Sequence, residues 1–282
     1  MQKSSRLAAC FERLRAEGRA GLFPFVTAGD PDLAFTRKLL PALARAGADG
    51  FELGVPFSDP LADGPTIQRA SARALEAGTR LKDVLALVGD ARRELPEAPI
   101  VLMTYYNPVI AFGEKNFARE AARAGADGVI VPDLPPEEGG PLLEAMRDFP
   151  LDAVFMLAPT SGRSRAEIVN RAGSGFIYYV GQMGVTGARD SLDAGLRGAL
   201  EELRPIKNRP VLVGFGIKTP EQAADVGGYA EGVIVGSALI DAMEKEADRA
   251  AKIEAASRYI GSLRKALEQS AAARPGGAGR FS

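Results

Sequence analysis

A short internal repeat limits the folds open to this chain. The heptapeptide ARAGADG occurs at residues 44–50 and again, unchanged, at 122–128, each time between a helical pattern and a short apolar run. A looser copy, GGYAEGVIVGS, occupies 227–237. Gly47 and Gly125 fall where helices commonly end on a residue with positive φ, so each copy predicts a helix-to-strand joint. Repeated joints of this kind indicate parallel strands with helices between them.

Eight short apolar runs alternate with helical patterns along the 282 residues. Eight parallel strands close into a barrel, and barrels of roughly 250 residues fold as one domain, so we predict an α/β fold with a single (β/α)8 TIM barrel. A doubly wound open sheet remains the alternative. The predicted strands are Leu22–Val26, Gly50–Leu53, Ile100–Thr104, Gly128–Val131, Ala153–Leu157, Phe176–Val180, Val211–Gly214 and Val233–Val235.

The helices are predicted from an apolar period of three to four residues. Leu7, Phe11 and Leu14 indicate an extra amphipathic helix before the barrel. We expect the barrel domain to span residues 1–270 and the small, glycine-rich tail 271–282 to be disordered. The other predicted helices are Leu33–Ala46, Thr66–Ala77, Leu81–Leu95, Glu114–Ala124, Pro141–Asp148, Arg165–Ala172, Ser191–Leu203, Pro220–Val226 and a long last helix, Ser237–Ser270.

The segment 50–68, GFELGVPFSDPLADGPTIQ, carries the clearest chemical signal. It begins as a strand in which Glu52 lies between two glycines on one face, where something has room to approach the backbone. A proline-rich loop with Asp59 and Asp63 follows. A carboxylate on an enclosed face is costly unless it is paired or needed. The segment therefore predicts acid–base chemistry, and a solvated acidic loop after an ordinary strand is the alternative.

The composition excludes several kinds of active site. The chain has no histidine and a single cysteine, Cys10, so histidine triads, histidine-ligated zinc, thiolate metal clusters and internal disulfides are excluded. Proton transfer must fall to Asp, Glu, Tyr, Lys or water. The formal net charge of −1 gives no sign of a basic surface that would bind nucleic acid. No apolar run approaches the roughly 18 residues of a membrane span. We expect a cytoplasmic protein without a metal.

Glycines cluster where the last strands end. Loop 181–187 reads GQMGVTG, the seventh predicted strand ends in GFGI (214–217), and the eighth ends at Gly236 and Ser237, directly before a helix. Backbone N–H groups at such positions bind anions, and barrels commonly bind phosphate there. The placement predicts a phosphate site, although each glycine alone is explained by a turn. Segment 181–190 also has the composition of a lid over a substrate.

Two more polar residues occupy predicted strand ends. Asp133 shares a strand face with Val129 and Val131 and lies between prolines. An inward-facing role and a role in capping a helix or anchoring a loop both remain open for it. Tyr178 shares a face with Phe176 and is either an active-site residue or a core residue.

Eight segments of the sequence together resemble the tryptophan synthase alpha chain family, and the resemblance extends over roughly Phe11 to Leu267. The segments are PFVTAGDP (24–31), ELGVPFSDPLADGPTIQ (52–68), VLMTYYNP (101–108), PDLPPEE (132–138), APTS (158–161), YYVGQMGVTGAR (178–189), GFGI (214–217) and VIVGSA (233–238). The resemblance implies retro-aldol cleavage of indole-3-glycerol phosphate to indole and glyceraldehyde 3-phosphate. It implies that Glu52 is the general acid/base, that Asp63 binds the indole N–H, and that Tyr178 lies in the active site. The remaining matched positions are Gly187, Gly216, Gly236 and Ser237 at the phosphate, Phe25 and Met103 at the indole, and Thr186 in the lid.

The resemblance also implies a partner. Family alpha chains pass indole to a beta subunit that carries pyridoxal phosphate, typically in an α2β2 assembly, so we expect no cofactor on this chain. Val55–Pro65 and Tyr106–Phe112 are the segments expected to contact the beta subunit. Two residues depart from the usual family pattern: Gly181, where a serine is usual, and Lys218, where a small hydroxyl residue is common.

Other functions stay open beside this one. They are a free-standing lyase that releases indole, a Schiff-base aldolase, a phosphate-binding barrel isomerase and a non-catalytic regulatory subunit. An aldolase of that kind needs a lysine at a strand end, and Lys218 lies one step too far into its loop. A purely regulatory subunit would not need both Glu52 and Asp63.

Overall fold

The computed structural model describes residues 5–181, 194–214 and 216–272. Strand segments and helices alternate along these residues, as the sequence predicts. The strand segments are β1 Gly21–Thr27, β2 Phe51–Gly54, β3 Ile100–Met103, β4 Gly128–Ile130, β5 Asp152–Val154, β6 Met156–Leu157, β7 Ile177–Val180, β8 Val211–Gly214 and β9 Gly232–Val235. The helices are α1 Arg6–Ala16, α2 Leu33–Arg45, α3 Pro65–Glu76, α4 Leu81–Glu94, α5 Tyr106–Phe112, α6 Glu114–Ala124, α7 Gly140–Met146, α8 Arg163–Ala172, α9 Ala194–Leu203, α10 Pro220–Val226, α11 Ser237–Glu244 and α12 Arg249–Ala272.

The parallel sheet closes on itself at an interrupted strand. Its order is β5-β4-β3-β2-β1-β9-β8-β7-β6, and only Phe155 separates β5 from β6 in the chain. The first and last members of this order, β5 and β6, therefore belong to one continuous stretch of chain, and the sheet closes into an eight-stranded barrel. The TIM barrel is confirmed, and the open sheet is wrong. The predicted continuous strand Ala153–Leu157 is divided because its first half pairs with β4 and its second half with β7.

The remaining predicted strands agree with the structure to within one residue at each end. The extra N-terminal helix is confirmed as α1, whose apolar stripe, Leu7, Phe11 and Leu14, is buried. Its first turn is capped by the Ser5 hydroxyl, which accepts the Ala8 N–H at 3.1 Å. No helix among the described residues is long and apolar enough to cross a lipid bilayer.

The long last helix predicted from the sequence is wrong. α11 ends at Glu244, and α12 begins at Arg249. The Asp248 carboxylate accepts the Ala251 N–H at 2.9 Å, so Asp248 caps a new helix where the sequence contains neither glycine nor proline. α12 then continues to Ala272, past the predicted start of the tail, and residues 273–282 lie outside the described part of the chain.

Helix α5 is not predicted from the sequence. Its first N–H group, on Tyr106, donates to the carboxylate of Asp133 at 3.0 Å. The capping group thus comes from a loop distant in the chain, and no local pattern reveals it. Asp133 itself is exposed. Of its two possible roles, anchoring a helix is confirmed and facing inward is wrong.

The repeated heptapeptide closes the end of the barrel where the strands begin. Asp49, Asp127 and, in the looser copy, Glu231 each precede one strand and accept the N–H near the start of the neighbouring strand. The N–H donors are Leu22, Ile100 and Val211, at 2.9, 2.8 and 2.7 Å, and the cations that pair with the carboxylates include Arg19, Arg92 and Lys207. Gly47 and Gly125 have φ of 111° and 91°, so the predicted turns are confirmed. The repeat therefore serves the architecture and takes no part in the cavity at the other end.

Candidate active site

A cavity of about 90 Å³ lies at the carboxyl ends of the strands, where barrels hold their active sites. It brings together every predicted site residue that the structure describes. Those residues are Phe25, Glu52, Asp63, Met103, Tyr178, Gly216, Gly236 and Ser237, and the cavity is completed by Ile67, Ile217, Lys218, Ile234 and Ala238. Thr186 and Gly187, together with most of the predicted lid, lie outside the described residues.

Glu52 is the most deeply buried acid of the cavity. It lies on β2, is 2% exposed, and neither carboxyl oxygen has a hydrogen-bond partner of ordinary geometry among the described residues. Burial and, to a smaller extent, the charge of Asp63 raise the pKa of Glu52 from 4.5 to about 8. The nearby Tyr178 hydroxyl opposes this rise. At neutral pH the carboxyl therefore holds a proton that it can give to a bound molecule.

Asp63 occupies the loop between β2 and α3 and is only half-buried. Burial raises its pKa from 3.8 to about 6, and the Tyr105 hydroxyl opposes the rise. Its Oδ1 atom is buried and has no hydrogen-bond partner among the described residues. At neutral pH Asp63 is thus mainly a carboxylate with one oxygen free to accept a hydrogen bond.

The two carboxyls consequently hold one proton between them near neutral pH. A pair of acids whose surroundings separate their pKa values can divide the roles of proton donor and charge stabiliser. Across the described residues, no cluster of three or more acidic or cysteine side chains is arranged to hold a metal ion. Glu52 and Asp63 by themselves can supply proton transfer and a negative charge.

Tyr178 reaches the same cavity from β7. Its side chain is 4% exposed, and burial followed by the Glu52 charge raises the pKa of the phenol well above its ordinary value. The phenol packs over Gly214 on β8, where a Cβ atom would overlap the Tyr178 ring and hydroxyl. Tyr178 also packs against Phe176, with ring centroids 6.5 Å apart. Tyr178 therefore belongs to the core, as one of its two readings predicts, and it also lines the cavity.

Phe25 forms an apolar part of the cavity wall beside Glu52. It is paired with Glu52 in the β1–β2 register, and its ring fills the space beside Gly54, where a Cβ atom would come within 2.7 Å. A Cβ at Gly236 would approach the same ring at 3.3 Å. Gly50, on the other side of Glu52, likewise faces Phe23, so phenylalanine side chains take up the room that the two glycines flanking Glu52 leave.

The far end of the cavity carries the glycines predicted to bind phosphate. Gly216 has a φ of 81°, and Gly236 and Ser237 are the N-cap and first residue of α11. N–H groups at a helix N-terminus favour an anion. Lys218 lines this end as well; its backbone N–H donates to Gln222 at 2.8 Å and its carbonyl accepts the Tyr259 hydroxyl at 3.2 Å.

The sequence gives no sign of the role of Ile67 or Ile234 in the cavity. Ile67 belongs to the buried face of α3, together with Ala70 and Ala74, and Ile234 lies on β9. The helical period of α3 marks Ile67 as buried, but only the tertiary arrangement shows that it faces the cavity. Apolar residues of this kind cannot be told from ordinary core residues by pattern alone.

The fold and the cavity together define a (β/α)8 barrel whose cavity brings two carboxyls close to the N-terminus of a helix. The sequence model of the family described as tryptophan synthase alpha chain matches residues 11–269. The chain belongs to the tryptophan synthase alpha chain family.

Individual relatives agree with this family. The chain is 48% identical over 274 residues to the tryptophan synthase alpha chain of Pelobacter propionicus, covering 97% of this chain and 99% of the relative. It is 53% identical over 241 residues to that of a Geobacter species, covering 86% and 90%. A crystal structure of tryptophan synthase subunit alpha from Legionella pneumophila superimposes with a TM-score of 0.86 at 37% identity, covering 94% and 99%. A tryptophan synthase structure from Mycobacterium tuberculosis gives 0.85 at 38%, again covering 94% and 99%.

Proposed function

We propose that this chain cleaves indole-3-glycerol phosphate to indole and glyceraldehyde 3-phosphate by a retro-aldol reaction. As a member of its family, it is a lyase of tryptophan biosynthesis. The observation that carries the assigned chemistry is the pair of Glu52 and Asp63 in one cavity, with pKa values of about 8 and about 6. The reaction needs an acid that can also act as a base, and a negative charge beside the ring nitrogen.

In the first step, Glu52 gives its proton to the indole ring carbon that bears the glycerol chain. The ring nitrogen then carries the positive charge of an indolenine. Asp63, through its free Oδ1, accepts a hydrogen bond from the ring N–H and stabilises this charge.

In the second step, the Glu52 carboxylate takes the proton from the hydroxyl on the carbon next to the ring. That C–O becomes the aldehyde of glyceraldehyde 3-phosphate, and the C–C bond breaks. Its electrons return to the ring and restore neutral indole. Glu52 ends protonated, as it began, so one carboxyl serves as acid and then as base. Tyr178, which contacts it, is assigned to keep that carboxyl in place.

The remaining predicted residues are assigned to binding. Phe25 and Met103 would cover the indole ring, and Gly216, Gly236 and Ser237 would hold the phosphate through backbone N–H groups. Gly187 is assigned to the phosphate and Thr186 to a lid that contacts Asp63; both rest on the family resemblance alone. The barrel domain is assigned to residues 1–270.

Membership of the family implies a beta-subunit partner, and we propose an α2β2 assembly in the cytoplasm with pyridoxal phosphate on the beta subunit. Two of the three large apolar side chains that are exposed in the described chain support the predicted interface. Leu61, 90% exposed, lies in Val55–Pro65, and Ile110, 55% exposed, lies in Tyr106–Phe112. An exposed apolar side chain on a segment that contains proline suits a protein contact.

Cleavage of indole-3-glycerol phosphate by the purified chain, with and without a beta subunit, tests the proposal. We expect slow release of indole and glyceraldehyde 3-phosphate, and a sharp rise in rate when the beta subunit is added. Fast cleavage that the partner does not change would indicate a free-standing lyase. The absence of cleavage under both conditions would contradict the proposal and favour a regulatory subunit.

A further inference from the structure

We propose that Tyr105 is a positioning residue for Asp63: its phenol fixes the loop that carries Asp63 and orients the carboxylate toward the N–H of the substrate. The inference rests on the proposed function. It adds a residue outside the predicted site, one that acts on the substrate only through Asp63.

Tyr105 holds this loop at two points. It follows β3 as the N-cap of α5, and its side chain is 3% exposed. Its hydroxyl oxygen accepts the backbone N–H of Ala62, the residue before Asp63, at 3.0 Å. Its ring packs against Phe57 near the start of the same loop, with centroids 5.4 Å apart and planes tilted by 31°. The residue next to Asp63 is therefore fixed by a side chain from the start of α5.

The Tyr105 hydroxyl also faces the Asp63 carboxyl. This contact lowers the pKa of Asp63, against the burial that raises it to about 6. Burial, followed by the Asp63 charge, raises the pKa of Tyr105, so the phenol keeps its proton and remains a donor. The Tyr105 hydroxyl thus faces the Asp63 carboxyl, while its Oδ1 has no hydrogen-bond partner among the described residues and is the oxygen left for the substrate.

Several other titratable or charged groups surround this pair. Glu52 and Tyr178 face Asp63 from β2 and β7, Lys218 lines the same cavity after β8, and Asp133 lies near Tyr105. A test must therefore separate Tyr105 from these groups. Removing only the Tyr105 hydroxyl does so, since every other group is unchanged.

The test is the pH dependence of kcat/KM for indole-3-glycerol phosphate cleavage by Tyr105→Phe. Loss of the donor raises the pKa of Asp63, so the acid limb moves to higher pH. At the optimum we expect kcat/KM to fall by about tenfold or more, the order of a hydrogen bond to a charged group. The matched control is Tyr229→Phe, because Tyr229 also contacts an aspartate, Asp225, at 3.3 Å, at the opposite end of the barrel.

Both variants are measured with the same substrate, whose phosphate group itself titrates near pH 6. A shift of the acid limb therefore supports the proposal only if it occurs in Tyr105→Phe and not in Tyr229→Phe. A loss of activity with the acid limb unmoved would overturn it, because that result marks a merely structural contact. If cleavage by the wild-type chain itself is absent, the proposed function fails and this role with it.

A second variant covers the case in which Tyr105→Phe does not fold. 3-Fluorotyrosine at position 105 keeps the ring and the hydroxyl but makes the hydroxyl a stronger donor. We expect it to move the acid limb to lower pH. An acid limb identical to that of the wild type would overturn the proposal.

Discussion

Glu52 is held in its neutral form by the folded protein, and this has a consequence for stability. Its pKa is about 8 in the fold against an ordinary value of 4.5. The unfolded chain therefore ionises first as pH rises, and the fold loses stability between about pH 4.5 and pH 8. A residue that served stability alone would not be kept in such surroundings.

We expect Glu52→Gln to gain thermal stability relative to the wild type as the pH is raised. Each pKa unit corresponds to about 1.4 kcal/mol, and each kcal/mol shifts the Tm of a domain of this size by roughly 2–4 °C. The Tm difference between variant and wild type should grow by several degrees from about pH 5 to about pH 9. Calorimetry at both pH values measures it, and a difference independent of pH would show that Glu52 titrates normally.

The same two pKa values predict a bell-shaped profile for kcat/KM. Activity should fall below about pH 6, where Asp63 becomes protonated, and above about pH 8, where Glu52 has no proton to give. The two limbs belong to the coupled pair. Asp63→Asn should cut kcat strongly and abolish the part of the acid limb that the substrate phosphate does not explain. Initial rates across this range test the prediction, which an unchanged acid limb in Asp63→Asn would contradict.

Among the elements, β8 affects the site because its last residue, Gly214, has no side chain and leaves room for Tyr178. A Cβ at Gly214 would overlap the Tyr178 phenol, whereas one at Gly198 on α9 would meet no atom within 4 Å. We expect Gly214→Ala to displace Tyr178 and lower kcat/KM at least about tenfold, the effect of misplacing an active-site group. Gly198→Ala, the control, should keep wild-type kcat/KM and gain about 0.5–1 kcal/mol of stability. Equal activity of the two variants would contradict the packing argument.

The sequence predicts the elements whose signals are local. The strand ends with Glu52, Tyr178 and Gly236 follow from apolar periodicity and are found in one cavity. Helix α5 is missed because its cap, Asp133, comes from a distant loop. The interruption at Phe155 is missed because it depends on which strands pair at closure. The division between α11 and α12 had a local sign in Asp248, which an uninterrupted helical composition concealed.

The cavity is predictable to a similar extent. Its acids, glycines and aromatic wall follow from the strand ends and the family motifs. The pKa values of Glu52 and Asp63 do not, because they depend on burial and on neighbouring polar groups, which come together only in the folded barrel. The contact of Tyr105 with Ala62 likewise joins residues far apart in the chain.

For the molecule as a whole, the exposed apolar side chains locate the proposed contact with the beta subunit. We expect Ile110→Asp to weaken binding of the beta subunit by about tenfold or more, since it places a charge in a buried contact. Leu75→Asp is the control: Leu75 is 37% exposed on α3, outside the two proposed segments. Calorimetric titration with the beta subunit measures both, and equal affinities would contradict the proposed interface.

The proposed reaction depends most directly on Glu52 as the group that moves protons. The measurement is single-turnover formation of indole from indole-3-glycerol phosphate by Glu52→Gln beside the wild type, with substrate binding followed separately. We predict that Glu52→Gln binds the substrate but forms no detectable indole, because an amide neither donates nor accepts the required proton. Substantial turnover by Glu52→Gln would contradict the account.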